Sequence, residues 1–126
     1  MDRVTDLTMP TVAANDNSVG LLAWSNVNNV LSAGDPGATC IAALGQQTQY
    51  LKVSGFGFSL PSFAQILGIE AHVTRNASIL SGIQDTQVKL CKAGTPTGDN
   101  KAAGGTWPDA LALLQYGSLA DLWNVV

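Results

Sequence analysis

YLKVSGFGFSLPSFAQILGIEAHVTRN, residues 50–76, is the stretch whose reading decides the fold class. Its second half, Ile69-Glu70-Ala71-His72-Val73-Thr74-Arg75, alternates apolar with polar or charged residues. That period of two describes a strand with one buried and one wet face. Upstream, Gly55 and Gly57 bracket Phe56, so the backbone can bend while the aromatic rings of Phe56 and Phe58 stay in a core. Pro61 then turns the chain into a long strand expected from about Ile66 to Asn76.

Similar signals flank this stretch. Val19 to Trp24 reads as a first strand, and Ala38 to Leu44 as a second, closed by Gly45-Gln46-Gln47. Tyr50 to Val53 is its expected hairpin partner. Between them, Asp35-Pro36-Gly37 is a turn sequence. Thr86 to Lys92 alternates again, after a connection over Ala77 to Gly82 with Ser78, Ser81 and Gly82 as breakers. Ala93 to Gly105 reads as a polar loop, with turns at Thr95-Pro96 and Gly98-Asp99-Asn100. The expected core is Tyr50, Leu51, Phe56, Phe58, Ile69, Val73, Val88 and Leu90. Residues 108–123 are open between helix and strand: Thr106, Pro108 and the Ala-Leu run favour a short helix, while Tyr116-Gly117 fits a turn after a strand. Residues 1–19 have no sustained period and read as an extended N-terminal arm, either disordered or held against a neighbouring subunit as an inter-subunit clamp, and 20–126 as one domain. The class is all-β.

Composition narrows the functions. Of the 126 residues, 46% are hydrophobic and only 12% charged, about half the usual charged share, and 13 are glycine. Polarity comes from Ser, Thr, Asn and Gln, which suits closely spaced strands and large protein interfaces, whose centres are depleted in charge. A net charge of -3 with 6 basic residues argues against nucleic acid, which needs a clustered basic patch. No apolar run approaches the roughly 20 residues of a membrane span, and the first residues lack the apolar core of a secretion signal. Synthesis in a cytoplasm is the expectation. Cys40 and Cys91, each in an apolar run, read as free thiols buried as small hydrophobes, with a disulfide between them as the open alternative.

Chemistry is sparse. His72 is the one histidine, on the wet face with Glu70 and Thr74, and no serine sits in a nucleophile elbow. One His and two separated Cys lack zinc spacing. Asn15-Asp16-Asn17, Asp35, Asp85, Asp99-Asn100 and Asp121 offer oxygen ligands without an EF-hand pattern, and such residues in loops are usually turn formers. No catalytic residue, metal or cofactor is expected. Trp24, Trp107 and Trp123, with Tyr50 and Tyr116, invite sugar stacking against the alternative of core aromatics. Trp107 and Tyr116 are the candidate glycan contacts.

The run Tyr50-Leu51-Lys52-Val53 to Gly55-Phe56-Gly57-Phe58-Ser59-Leu60-Pro61 resembles a module of tailed-bacteriophage virion proteins. Further matches follow in order: Ile66 to Asn76 with Ala77-Ser78, Asp85 to Lys92, Gly98-Asp99-Asn100-Lys101-Ala102, Trp107-Pro108, Tyr116-Gly117 and Asp121-Leu122-Trp123. Asn17 to Gly20 and Ala23-Trp24-Ser25 also fit, so the resemblance spans most of residues 15–124. It implies a jelly-roll-like antiparallel β-sandwich in a tail, appendage or head-surface protein, located in the virion, with no enzyme activity. The implied partners are other virion proteins and further copies of the chain, as a trimer. A glycan-binding receptor module at a fibre tip, contacting host surface glycan, is the alternative. Two departures stand out: Asn124 replaces a usual glycine, and similar sequences continue with more β-rich sequence beyond the position of Val126. About six strands are few for a closed sandwich, so the expectation is completion by a neighbouring subunit or by further C-terminal sequence.

Overall fold

The computed structural model describes residues 5–33, 36–78 and 82–125. Residues 1–4 of the expected arm, Asp35 of the expected turn, Ser81 of the expected connection and Val126 lie outside the described residues. The protein is all-β: six strands in three two-stranded antiparallel sheets, with one single-turn 3-10 helix at Val27–Leu31, among the described residues. The chain divides into two compact units, Met1–Pro61 and Ser62–Val126.

In the first unit, β1 (Val12–Asp16) pairs antiparallel with β2 (Tyr50–Ser54), from Val12 opposite Ser54 to Asp16 opposite Tyr50. Residues 12–16 of the expected extended arm are therefore a strand within their own chain, and β2 takes β1 rather than Ala38–Leu44 as its partner. Local chemistry explains the exchange. Gln46 closes a tight turn by accepting from Ala43 N–H through Oε1 (2.7 Å) and donating its own N–H to Ala43 O (3.0 Å), which bends the end of the expected strand. Only Thr39 of that run pairs, with Ser25.

Val19–Trp24 is likewise no strand. Gly20 has φ +68, and a Cβ there would collide with Thr48 O, a conformation and an approach open to glycine alone. Both backbone groups of Trp24 are taken by one side chain: Asn15 Oδ1 accepts from Trp24 N (2.7 Å), and Asn15 Nδ2 donates to Trp24 O (3.0 Å). Trp24 Nε1 donates to Gln49 O at 3.0 Å. An asparagine on β1 thus imitates a neighbouring strand and holds the tryptophan beside the sheet.

In the second unit, β3 (Ile69–Arg75) pairs antiparallel with β6 (Ala112–Ser118) along seven residues. The long strand starts three residues later than about Ile66. The segment open between helix and strand is a strand here, because pairing with β3 and burial of Tyr116 override the local helix preference of Ala and Leu. Ser118 to Trp123 forms turns instead of a second helix, ending with Trp123 and Asn124 at φ 56 and 55. The remaining strands, β4 (Leu90–Lys92) and β5 (Thr95–Thr97), form a hairpin across Ala93 and Gly94, both at positive φ (51 and 82). That two-residue geometry matches strand twist. Thr86 to Val88, expected in the same strand as Leu90, is held instead by Asn100. Its side chain donates to Thr86 O (2.9 Å) and accepts from Val88 N (2.9 Å).

Burial is thin. Among the described residues only Tyr116 (4% exposed) and Trp123 (1%) are buried. Of the expected core, Tyr50, Leu51, Ile69, Val88 and Leu90 are half-buried, but Phe56, Phe58 and Val73 are 36%, 52% and 40% exposed. Phe56 and Phe58 lie beyond the end of β2 and belong to no sheet, so no second layer covers them. Cys40 is half-buried and Cys91 exposed, neither in a disulfide. Cys91 alternates with Leu90 on β4 and faces the uncovered side.

Candidate assembly surface and the clusters beneath it

Opposed residues of an antiparallel pair share a face. Ile69, Ala71, Val73 and Arg75 therefore lie with Ser118, Tyr116, Leu114 and Ala112, and Glu70, His72 and Thr74 lie with Gly117, Gln115 and Leu113. The first face carries Tyr116 and Arg75 to a single carboxylate. Tyr116 Oη donates to Asp85 Oδ2 at 2.6 Å, Trp107 Nε1 donates to Oδ1 at 2.8 Å, and Ala103 N donates to Oδ2 at 3.1 Å. Arg75 NH1 reaches Oδ1 at 3.4 Å, with its side chain 9% and that of Asp85 4% exposed. The guanidinium also lies 5.1 Å from the centroid of the Trp107 ring, a cation–π contact.

Burial pushes the Asp85 carboxyl up, but the hydrogen bonds from Tyr116, Ala103 and Trp107 and the charge of Arg75 outweigh it, leaving Asp85 below the usual carboxylate range. Burial, then the Asp85 carboxylate, pushes the Tyr116 hydroxyl well above its ordinary range. Donors fill both oxygens of a charged acceptor, which is what a buried charge requires. Arg75 Nε has no hydrogen-bond partner.

This cluster contains both candidate glycan contacts. Tyr116 is buried with its hydroxyl committed to Asp85, and Trp107 is half-buried with its N–H on Asp85 and Arg75 against its ring. The indole N–H of each of the three tryptophans is bonded inside the chain, that of Trp123 to Ile69 O at 2.9 Å. Sequence reading missed Asp85 and Arg75 as partners. The signal was present in Arg75, which shares the parity of Ile69, Ala71 and Val73 and so sits on their apolar face.

A second cluster anchors the end of the chain. Lys101 Nζ bridges Asp121 (2.8 Å) and Asp99 (3.5 Å), and the Asp121 hydrogen bond raises the lysine above its usual value. Asp121 Oδ1 also accepts from Trp123 N at 2.8 Å, and Asp99 N donates to Trp123 O at 2.7 Å. Here the residues weighed as cation ligands are neutralised by a lysine or serve as turn and cap acceptors. Asp16 behaves the same way, accepting from Ser18 N (2.9 Å) and pairing with Lys52 (3.3 Å). No group of three or more His, Cys, Asp or Glu side chains positioned to hold a metal occurs among the described residues. His72 Nε2 lies 3.2 Å from Glu70 Oε2 on the second face. A cleft of about 280 Å³, lined by Gly20, Leu21, Leu22, Gly45, Gln46 and Gln47, contains no titratable side chain.

The apolar surface is the larger feature. Among the described residues, sixteen large hydrophobic side chains are at least 36% exposed, Leu21 (92%), Ile41 (95%), Leu44 (104%) and Phe63 (89%) among them. The densest run is Phe56, Phe58, Leu60, Phe63, Ile66 and Leu67, all exposed, and no charged residue lies between Lys52 and Glu70. Among the described residues, no backbone–backbone hydrogen bond involves residues 56–60. Among the described residues, no helix is long and apolar enough to cross a membrane. No family model, curated protein or solved structure matches the chain.

Proposed function

We propose that this chain is a structural component of a tailed-phage virion, an appendage, tail or head-decoration protein that works by symmetric assembly. The observation that carries the assembly reading is the imbalance, among the described residues, between two buried and sixteen exposed large hydrophobic residues. Scattered exposed apolar residues are ordinary, but runs of this density mark surfaces that other protein covers. Among the described residues each strand has one strand neighbour, and two-stranded sheets can be extended by further strands. In the assembled state, neighbouring subunits complete the small sheets into a jelly-roll-like β-sandwich. The virion assignment is supported by the ordered sequence resemblance across residues 15–124. Assembly contacts, not bond chemistry, are the mechanism.

Mass spectrometry of purified particles, with immunogold labelling, tests this reading. The expected result is a fixed copy number at one virion location. Absence of the chain from purified particles overturns it.

A further inference from the structure

Residues 56–60, Phe-Gly-Phe-Ser-Leu, have the binary pattern of a strand: three large apolar side chains on one face, Gly57 and Ser59 on the other. In the single chain the Phe56 and Phe58 rings stack 18° from parallel with centroids 6.2 Å apart. Yet the segment joins no sheet, and its backbone donors and acceptors are unused within the chain among the described residues. It carries the side-chain pattern of a strand without the pairing of one.

We propose that residues 56–60 pair antiparallel with the same residues of a second copy, across a two-fold axis at Phe58. Two observations select a second copy. The segment is palindromic in side-chain size: the two-fold sets Phe56 opposite Leu60, Gly57 opposite Ser59 and Phe58 opposite Phe58, large against large and small against small. An isologous contact needs such self-complementarity. The uncharged run between Lys52 and Glu70 brings no like charges together and offers no handle to a charged partner. Phe56, Phe58 and Leu60, 36%, 52% and 46% exposed, are the apolar surface that the pairing covers.

Gly57 is the joint. It has φ +70 in the single chain, and strand pairing requires it to become extended, a change glycine makes without steric cost. A Cβ at Gly57 meets nothing within 4 Å, so a β-branched residue there is tolerated in space and shifts the segment toward the extended form. The pairing rests on the assembly reading. It fits the three-fold order implied by resemblance only where two trimers meet back to back.

The test uses the full chain with Cys40→Ser and Cys91→Ser as background. Phe58→Cys is expected to form an inter-chain disulfide under mild oxidation, because directly opposed strand residues lie within disulfide reach. Ser59→Cys, opposed by Gly57 and not by itself, stays uncross-linked. In the native sequence, Phe58→Asp raises the dissociation constant at least about tenfold, and Gly57→Val lowers it. Native mass spectrometry is expected to give an even copy number. An odd-numbered oligomer, or an even one in which Phe58→Cys fails to cross-link, overturns the pairing and leaves the assembly reading standing. A chain that stays monomeric alone overturns the pairing too, and particle incorporation then decides the assembly reading separately.

Discussion

Tyr116 donates its hydroxyl to Asp85 at 2.6 Å across 31 residues of sequence, and both side chains are withdrawn from solvent. The bond ties β6 to the segment before β4. Arg75 on β3 and Trp107 converge on the same carboxylate, so one acidic group organises parts of the unit that share little regular pairing. Where few apolar side chains are buried, such a network carries an unusually large share of the specificity of the fold.

Removing the acceptor should therefore cost more than removing one donor. Asp85→Ala leaves the Arg75 charge buried without its partner and strands the Tyr116 and Trp107 donors, for an expected loss of about 3–5 kcal/mol. Tyr116→Phe removes a single bond to a charged group, about 2 kcal/mol. Urea unfolding at one fixed protein concentration checks both, since association shifts apparent stability. Equal losses for the two variants would contradict the central place given to Asp85.

The same network fixes two pH limits. Asp85 titrates below its ordinary value when folded, so its contribution is full above the unfolded pKa, about 3.9, and is lost as pH falls through the lower folded value. Tyr116 titrates above its ordinary value, so its contribution is full below about pH 10 and is lost as pH rises through the higher folded value. Unfolding free energy measured against pH should fall at both ends. Tyr116→Phe should remove the alkaline limb that Tyr116 causes, and Asp85→Asn should flatten the acid one.

Trp107 separates a structural role from a receptor role. Trp107→Ala removes the indole donor to Asp85 and the ring under Arg75, an expected loss of about 2–4 kcal/mol for a half-buried tryptophan. Lost glycan binding in that variant would be uninformative by itself, because the site and the fold fail together. Trp107→Phe keeps a ring for Arg75 and gives up the N–H. It should recover part of the stability, and a glycan array on this folded variant isolates any contribution of the indole to binding.

The strand signal in residues 69–75 was legible because period-two alternation reflects burial on one face, and β3 occupies those residues. The all-β class was legible for the same reason, together with glycine and proline at the bends. The failures share a different physics. Val19–Trp24 and Thr86–Val88 look like strands, but the side chains of Asn15 and Asn100 take backbone groups that a strand neighbour would have used. A distant asparagine filling that role leaves no local periodicity to read. The helix-like run at 110–114 shows the complementary limit, since its pairing with β3 comes from residues about forty positions earlier in sequence. Asp85 looked like a turn residue because only the folded chain brings Arg75, Trp107 and Tyr116 to it.

The N-terminal arm yields the last prediction. Deleting residues 1–18, the natural test of an inter-subunit clamp, also deletes β1. That removes the partner of β2 and the Asn15 clamp on Trp24. The expected result is loss of order throughout the first unit, seen as loss of amide protection in residues 50–54, whatever the arm does between subunits. Deleting residues 1–10 is the discriminating variant. It spares Thr11, whose N–H donates to Ser54 O at 2.9 Å and whose hydroxyl donates to Gly55 O at 2.8 Å, and it takes away the exposed Leu7 and Met9. Hydrogen exchange should show β1 and β2 intact. If Leu7 and Met9 bind a neighbouring subunit, the shortened chain should dissociate at a concentration several-fold higher in analytical ultracentrifugation. An unchanged dissociation constant with intact exchange protection would remove the arm from the assembly contact and confine its role to β1.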